Sequence, residues 1–224
     1  MRGACVVCLA LVVVVEARAQ EPKMKVSPEA ALERLKAGNA RFVADKAEKR
    51  VSDAKMRAEL AKGQHPFAII LACADSRVPP EFLFDQGLGD LFVVRVAGNV
   101  TGEEVLGSIE YAVAHLHVPL VVVLGHEKCG AVKAALDQVE PEGNLGVLLR
   151  EVRVGSDLPK DKDKAFTQAI KNNARFHAGD LSRRSALLKD FASSGRIQVR
   201  AAVYSLTTGE VEWLKGAPAK ANGN

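Results

Sequence analysis

Three short apolar runs punctuate the middle of the chain, at residues 67–72, 91–96 (with Arg95 inside it) and 119–124. Helical periodicity fills the stretches between them. Strands buried on both faces read this way, so the pattern predicts a parallel sheet of α/β type. Residues 197–204 form a fourth strand. Residues 210–214 follow a Thr207-Thr208-Gly209 turn and pair antiparallel at an edge. Crossover helices are expected over 102–117 and 128–139, and two further helices over 165–177 and 181–191. The charged, proline-containing stretch 155–164 reads as a solvated loop.

Ahead of the sheet the pattern is helical. Ser27-Pro28-Glu29 combines a capping serine, a proline for the first helical position and an acid for the first turn. Ala31, Leu32, Leu35, Ala40, Phe42 and Val43 then supply an apolar stripe, with Gly38 near its middle. A second helix is expected from Ser52-Asp53 to Gly63, with charged residues over much of its surface. Such an arm has little core of its own and must pack on the main domain or on a partner subunit. The organisation is therefore a helical arm over 20–65, an α/β domain over 66–216 and a disordered tail over 217–224.

Residues 1–19 stand apart. Arg2 precedes an unbroken apolar run of eleven residues from Cys5 to Val15, and Ala17-Arg18-Ala19 offers a small-x-small cleavage site before Gln20. This is the pattern of a secretory signal peptide. The run is shorter than the roughly 20 apolar residues of a spanning helix. The expected location is the periplasm or the exterior, with no membrane attachment after cleavage. The 224 residues, 48% hydrophobic and 26% charged with a formal charge of +4, suit one globular domain. Acidic and basic residues are interspersed, and no nucleic-acid motif accompanies them. Gly87-Leu88-Gly89 lacks the glycine spacing of a dinucleotide site.

Signal cleavage removes Cys5 and Cys8 and leaves Cys73 and Cys129. Two lone cysteines in an oxidising compartment invite a disulfide. A metal explains more, because His126 lies three residues before Cys129 and a disulfide has no use for it. Cys73 ends the first core strand, His126 follows the third, and Cys129 begins the next helix. Functional groups of open parallel sheets gather at these carboxyl ends. Two thiolates and an imidazole are zinc ligands. Three protein ligands leave a fourth position open, as a catalytic zinc requires. His65, His115, His117 and His177 are not assigned to the metal.

Asp75 and Arg77 leave the same strand two residues apart and are placed to pair through a bidentate fork. The plain reading is a salt bridge that fixes the loop. The functional reading is that Arg77 holds Asp75 off the zinc and turns it toward a metal-bound water. Two thiolates already cancel the charge of Zn²⁺, so that water should ionise above the value near 7 reached with three histidines. Activity should therefore rise above neutral pH, and at lower pH Asp75 becomes a candidate fourth ligand.

These residues sit in longer motifs. Cys73-Ala74-Asp75-Ser76-Arg77-Val78-Pro79-Pro80-Glu81 comes first, then the run from Asp85-Gln86-Gly87 through Arg95-Val96-Ala97-Gly98-Asn99. Gly107-Ser108-Ile109-Glu110-Tyr111-Ala112 and Gly125-His126-Glu127-Lys128-Cys129-Gly130-Ala131 follow. Together they closely resemble the β-class carbonic anhydrases, from about Ser27 to Leu214. The resemblance implies a four-stranded parallel sheet with an antiparallel edge strand, flanked by helices. It implies one Zn²⁺ per subunit on Cys73, His126 and Cys129, and an Asp75–Arg77 dyad. The fourth ligand in the family is water in the open form and the aspartate in the closed form.

The implied reaction is reversible hydration of carbon dioxide to bicarbonate and a proton, by attack of zinc-bound hydroxide. Gln64, Phe92, Ala97 and Tyr111 match positions lining the family's substrate pocket, partly from the neighbouring subunit, and Gly98 and Asn99 lie in the same loop. The implied assembly is an obligate homodimer, with a homotetramer as the larger alternative. Allosteric bacterial members bind a second bicarbonate through a tryptophan, an arginine and a tyrosine. Arg95 and Tyr204 match the last two, but Ile70 occupies the tryptophan position, which argues against that regulation. The rival readings are a related hydrolase acting on carbon disulfide or a similar heteroallene, and a non-catalytic zinc protein.

Overall fold

The computed structural model describes residues 26–48 and 52–215. The expected signal peptide and the expected tail lie outside the described residues. Two helices open the chain, α1 (Pro28–Val43) and α2 (Ala54–Leu60). The α/β part then runs β1 (Ala68–Ala72), α3 (Pro80–Leu83), β2 (Leu91–Arg95), α4 (Glu103–Leu116), β3 (Leu120–His126), α5 (Gly130–Leu136), α6 (Gly143–Glu151), α7 (Lys162–Arg184), α8 (Ala186–Ser193), β4 (Gln198–Tyr204) and β5 (Val211–Trp213). The strands form one sheet in the order β2-β1-β3-β4-β5. The first four are parallel and β5 is antiparallel to β4. This is the architecture expected from the sequence.

Strand periodicity of two sorts the core into layers. Ile70, Ala72, Val122 and Leu124 face one side, with Ala31 and Leu35 of α1 packed over them. Ile69, Leu71, Val121 and Val123 face the other, under Ile109, Ala112 and Val113 of α4 and Leu188 of α8. The first helix of the arm thus packs on its own chain's sheet. Asn39 ties it there, donating to the Leu83 and Gly209 carbonyls and accepting from the Val211 N–H. All three bonds of this buried carboxamide reach backbone that no strand ladder satisfies. The shorter α2 has no buried residue.

Three sequence expectations are corrected. The helices expected over 165–177 and 181–191 are instead a 23-residue α7 that runs through Ala178-Gly179-Asp180, followed by α8. Part of the expected loop over 155–164 belongs to α7, whose cap is Asp161. His126 is the last residue of β3, not a residue beyond it. Among the described residues no helix is long and apolar enough to cross a membrane.

Candidate metal centre

β1 and β3 are neighbouring parallel strands with Ala72 opposite Leu124, so their carboxyl ends open side by side. Cys73 is the first residue past β1 and His126 the last of β3. The chain then turns through Lys128, whose φ of 54° lies in the left-handed region, and brings Cys129 back as the cap of α5. The two Sγ atoms and a ring nitrogen of His126 lie within 4.8 Å of one another, all three residues buried.

The imidazole is prepared for a metal. His126 Nδ1 lies 2.8 Å from the Glu127 carbonyl, which only an N–H can satisfy. That fixes the tautomer and leaves Nε2 with a lone pair. Nε2 is buried and has no protein partner. Polar atoms buried this way are nearly always paired, and an imidazole nitrogen oriented by a carbonyl behind it is the usual form of a metal-bound histidine.

The sulfurs are prepared as well. Cys73 Sγ accepts the Gly98 N–H at 3.3 Å. Hydrogen bonding from the Cys129 thiol, with lesser help from the Asp75 and Gly98 amides, lowers the Cys73 thiol against the opposing effect of burial. Cys129 moves the other way, pushed far up by the bond and charge of Cys73 and by burial. The Ala131 and Val132 amides at the start of α5 oppose that push. The two thiols are coupled, and each resists the loss of a second proton from the pair. A dication would displace that proton and hold two thiolates.

Two thiolates and one free imidazole nitrogen fit zinc. Among the described residues this is the one such cluster, and it offers three protein ligands rather than the four of a closed structural site.

Asp75 stands beside the cluster, its Oδ2 3.9 Å from His126 Nε2. Arg77 holds it firmly. Asp75 Oδ1 accepts Arg77 Nε and the Arg77 backbone N–H, both at 2.9 Å, and Oδ2 accepts Nη2 at 2.7 Å. These bonds hold the carboxyl well below the usual carboxylate range, against partial burial. The carboxylate is turned to its arginine, the arrangement of an open site. Arg95 braces the same loop, donating Nε–H to the Cys73 carbonyl at 3.0 Å and Nη2–H to the Asp75 carbonyl at 2.5 Å. Ile70 and Tyr204, the other two positions of the family's second bicarbonate pocket, are buried against the α1 side of the sheet.

The expected pocket residues divide into two groups. Ala97, Gly98 and Asn99 form a tight turn after β2, and Gly98 touches the Cys73 sulfur. Asn99 is buried and its Nδ2 has no protein partner. Gln64 is exposed and lies ahead of β1, so the length of that strand, about 17 Å at 3.3–3.4 Å per residue, separates it from Cys73. Gln64 and Tyr111 line one cleft with His65, Phe67 and His115. Phe92 joins this group, with its ring 6.4 Å from that of Tyr111. A single chain does not bring Gln64, Phe92 and Tyr111 to its own metal centre.

The sequence reading missed a set of α7 residues that reach the turn after β2. Asn173 donates to the Gly98 carbonyl, while His177 and Asp180 bond Thr101. Their spacing of four and three was the available signal, polar positions on a helical face otherwise made of Ala169, Ile170, Ala174 and Leu181.

Comparison with known proteins agrees with this geometry. A family model described as carbonic anhydrase matches residues 68–211. Carbonic anhydrase 2 of Mycobacterium tuberculosis is 42% identical over 189 residues, covering 82% of this chain and 91% of the relative. A carbonic anhydrase of Mycolicibacterium smegmatis is 43% identical over 194 residues, covering 83% and 93%. Among solved structures, one of two tetrameric β-carbonic anhydrases from Sordaria macrospora superposes with a TM-score of 0.66 at 25% identity, covering 80% of this chain and 93% of that one.

Proposed function

The chain belongs to the β-carbonic anhydrase family, and we propose that it works as an exported, dimeric zinc enzyme whose substrate pocket is completed by the partner subunit. Its reaction is the reversible hydration of carbon dioxide to bicarbonate and a proton. The observation that carries this is the buried Cys73–His126–Cys129 cluster with its free Nε2 lone pair, next to a carboxylate held by arginine.

Bound on these three residues, Zn²⁺ supplies the acidity that makes an attacking hydroxide available, with a bias toward alkaline pH because two thiolates neutralise it. The chain's own residues do the rest. Arg77 keeps Asp75 ionised and engaged with its guanidinium, with Oδ2 still 3.9 Å short of His126 Nε2, so the metal face stays accessible to substrate. Asp75 then acts as a fixed acceptor that orients a reacting O–H. Released from Arg77, it would be the residue able to hold the metal as a fourth ligand. The Ala97–Asn99 turn walls the site on the β2 side.

Gln64, Phe92 and Tyr111 are proposed to reach the neighbouring subunit's site. Tyr111 is 49% exposed, and Phe82 and Leu88, in the segment leading to β2, are 73% and 58% exposed. Edge strand β2 itself is only half-buried, and an apolar edge of this kind calls for cover. A second copy supplies both the cover and the missing pocket residues. The tetrameric relative from Sordaria macrospora supports a larger assembly as the alternative.

Export is proposed from the apolar run and cleavage pattern of residues 1–19. It places the enzyme where it would supply or trap inorganic carbon, or buffer pH, outside the cytoplasm. Stopped-flow hydration by the zinc-loaded chain beginning at Gln20, followed from pH 6 to 9, tests the activity. Rapid hydration that rises with pH and is lost in Cys73→Ser is expected. Full zinc occupancy without hydration overturns the reading. Mass spectrometry of the protein recovered from the periplasm or medium tests the mature start.

A further inference from the structure

We propose that Asn173, on α7, is a positioning residue for the metal centre: it fixes the turn around Gly98 so that the Gly98 N–H is donated to the Cys73 sulfur. The proposal rests on the reading of Cys73, His126 and Cys129 as metal ligands and adds a residue that acts on one of them from a distance.

Gly98 has a φ of 71° and Asn99 one of 45°. A glycine at this position has unusual freedom, so the direction of its N–H depends on what holds either side. Before it, the Val96 N–H bonds the Ala72 carbonyl at 3.1 Å and extends the β1–β2 ladder. After it, the Gly98 carbonyl accepts Asn173 Nδ2–H at 2.8 Å. With both flanks pinned, the Gly98 N–H is left aimed at Cys73 Sγ.

The orientation of the carboxamide is not arbitrary. Asn173 Oδ1 accepts the Arg153 N–H at 2.9 Å, a bond only an acceptor can make, so Nδ2 must face Gly98. Asn173 is 1% exposed. Thr101 gives the turn a second hold on the same helix. Its N–H bonds His177 Nδ1 at 3.2 Å and its hydroxyl donates to Asp180 Oδ2 at 2.6 Å.

A hydrogen bond to a thiolate draws on its lone pair, which raises the energy of charge transfer to a metal, and it holds the sulfur where the metal needs it. Partners behind a ligand typically change metal affinity or activity by 10–100-fold when removed. The Gly98 N–H lies on the sulfur itself, whereas the Thr101 bonds act three residues further along. This gives the two holds different signatures.

The test uses the chain loaded with cobalt(II) in place of zinc, read by its near-ultraviolet thiolate-to-metal charge-transfer absorption. Zinc affinity is measured in parallel by competition with a chelating chromophore. In Asn173→Leu the absorption moves to lower energy, and zinc binds about tenfold more weakly. Asn173→Asp keeps the acceptor for Arg153 and loses the donor to Gly98, so it repeats the shift should the leucine variant not fold. Thr101→Val loosens the turn and lowers the melting temperature with the absorption unmoved. An unmoved absorption in the Asn173 variants overturns the proposal, and so does an equal shift in Thr101→Val. A cobalt-loaded unaltered chain with no thiolate absorption at all overturns the metal reading beneath it.

Discussion

Asp75 has two competing destinations, the guanidinium of Arg77 and the metal position in front of His126. Bonds of 2.7 and 2.9 Å to Arg77 settle the competition for the structure described here. The Asp75 carboxyl is held below its ordinary value, so its contribution to stability is present above the unfolded value near 4 and is lost only as pH falls through the lower folded one. The pair therefore stays ionised through neutral and alkaline pH, and a rate change between pH 6 and 9 has another origin. Replacing Asp75 by Asn keeps the shape but weakens the acceptor and its hold on Arg77. We expect Asp75→Asn to keep its zinc and lose roughly 10–100-fold in hydration rate. Elemental analysis beside stopped-flow kinetics checks this, and loss of metal in parallel with activity would sink the assigned role.

His177 is a residue-scale case of the opposite chemical type. Burial is the main cause that brings it down to about 4, against the attraction of Asp180. The unfolded chain binds that proton near 6.5, so between 6.5 and 4 the unfolded state holds more of it. The stability His177 contributes as a neutral ring is complete above 6.5 and is lost as pH falls toward 4, by as much as about 3 kcal/mol. Melting curves across this window should fall more steeply for the unaltered chain than for His177→Gln. Parallel curves would contradict a neutral buried imidazole.

At the scale of elements, Gly38 explains how α1 closes on the sheet. A Cβ there would stand 1.8 Å from the Phe84 carbonyl oxygen, so only glycine lets the helix approach the end of α3 this closely. In an exposed helix Gly→Ala stabilises. Here we expect Gly38→Ala to destabilise by about 1–3 kcal/mol through overpacking, measured by urea unfolding. A stabilised variant would mean that α1 sits further from α3 than described.

Sequence places Gly38 near the middle of the helix without giving a reason for it, because propensity is local and the Phe84 carbonyl is not. Three of the four parallel strands were legible because each is a short apolar run, and Cys73, His126 and Cys129 were legible because they stand at strand ends. The continuity of α7 was not. The expected gap between two helices fell over residues 178–180, yet Asn173, Ala174, His177, Asp180 and Leu181 are buried along one helix. Their packing outweighs the roughly 1 kcal/mol that a glycine costs. Helix α6 gave no signal because it opens at Gly143 with a φ of 63°, and its cap, Glu142, makes no side-chain bond.

At the scale of the whole molecule, the division of the pocket residues is the fact to explain. Ala97, Gly98 and Asn99 flank the metal ligands, while Gln64 and Tyr111 share a cleft that the length of β1 separates from them. Within one chain the sheet holds the two groups at opposite ends of β1. In the proposed symmetric pair each copy would lend its cleft to the other's metal centre. Variants of the two groups should therefore complement one another. Gln64→Ala leaves its own metal intact but lends a defective cleft, with an expected rate loss of about 100-fold. Cys73→Ser has no working metal but lends a sound cleft. Alone, each is nearly inactive. Unfolded together and refolded in equal amounts, half of the dimers are hybrids, and each hybrid holds one site with sound metal and sound cleft. Activity should recover to about a quarter of that of the unaltered enzyme. Two controls belong with it: mixing without unfolding, and mixing Gln64→Ala with Tyr111→Ala, which damages the same cleft and should restore nothing. Hybrids that form without activity would place Gln64 in the service of its own chain.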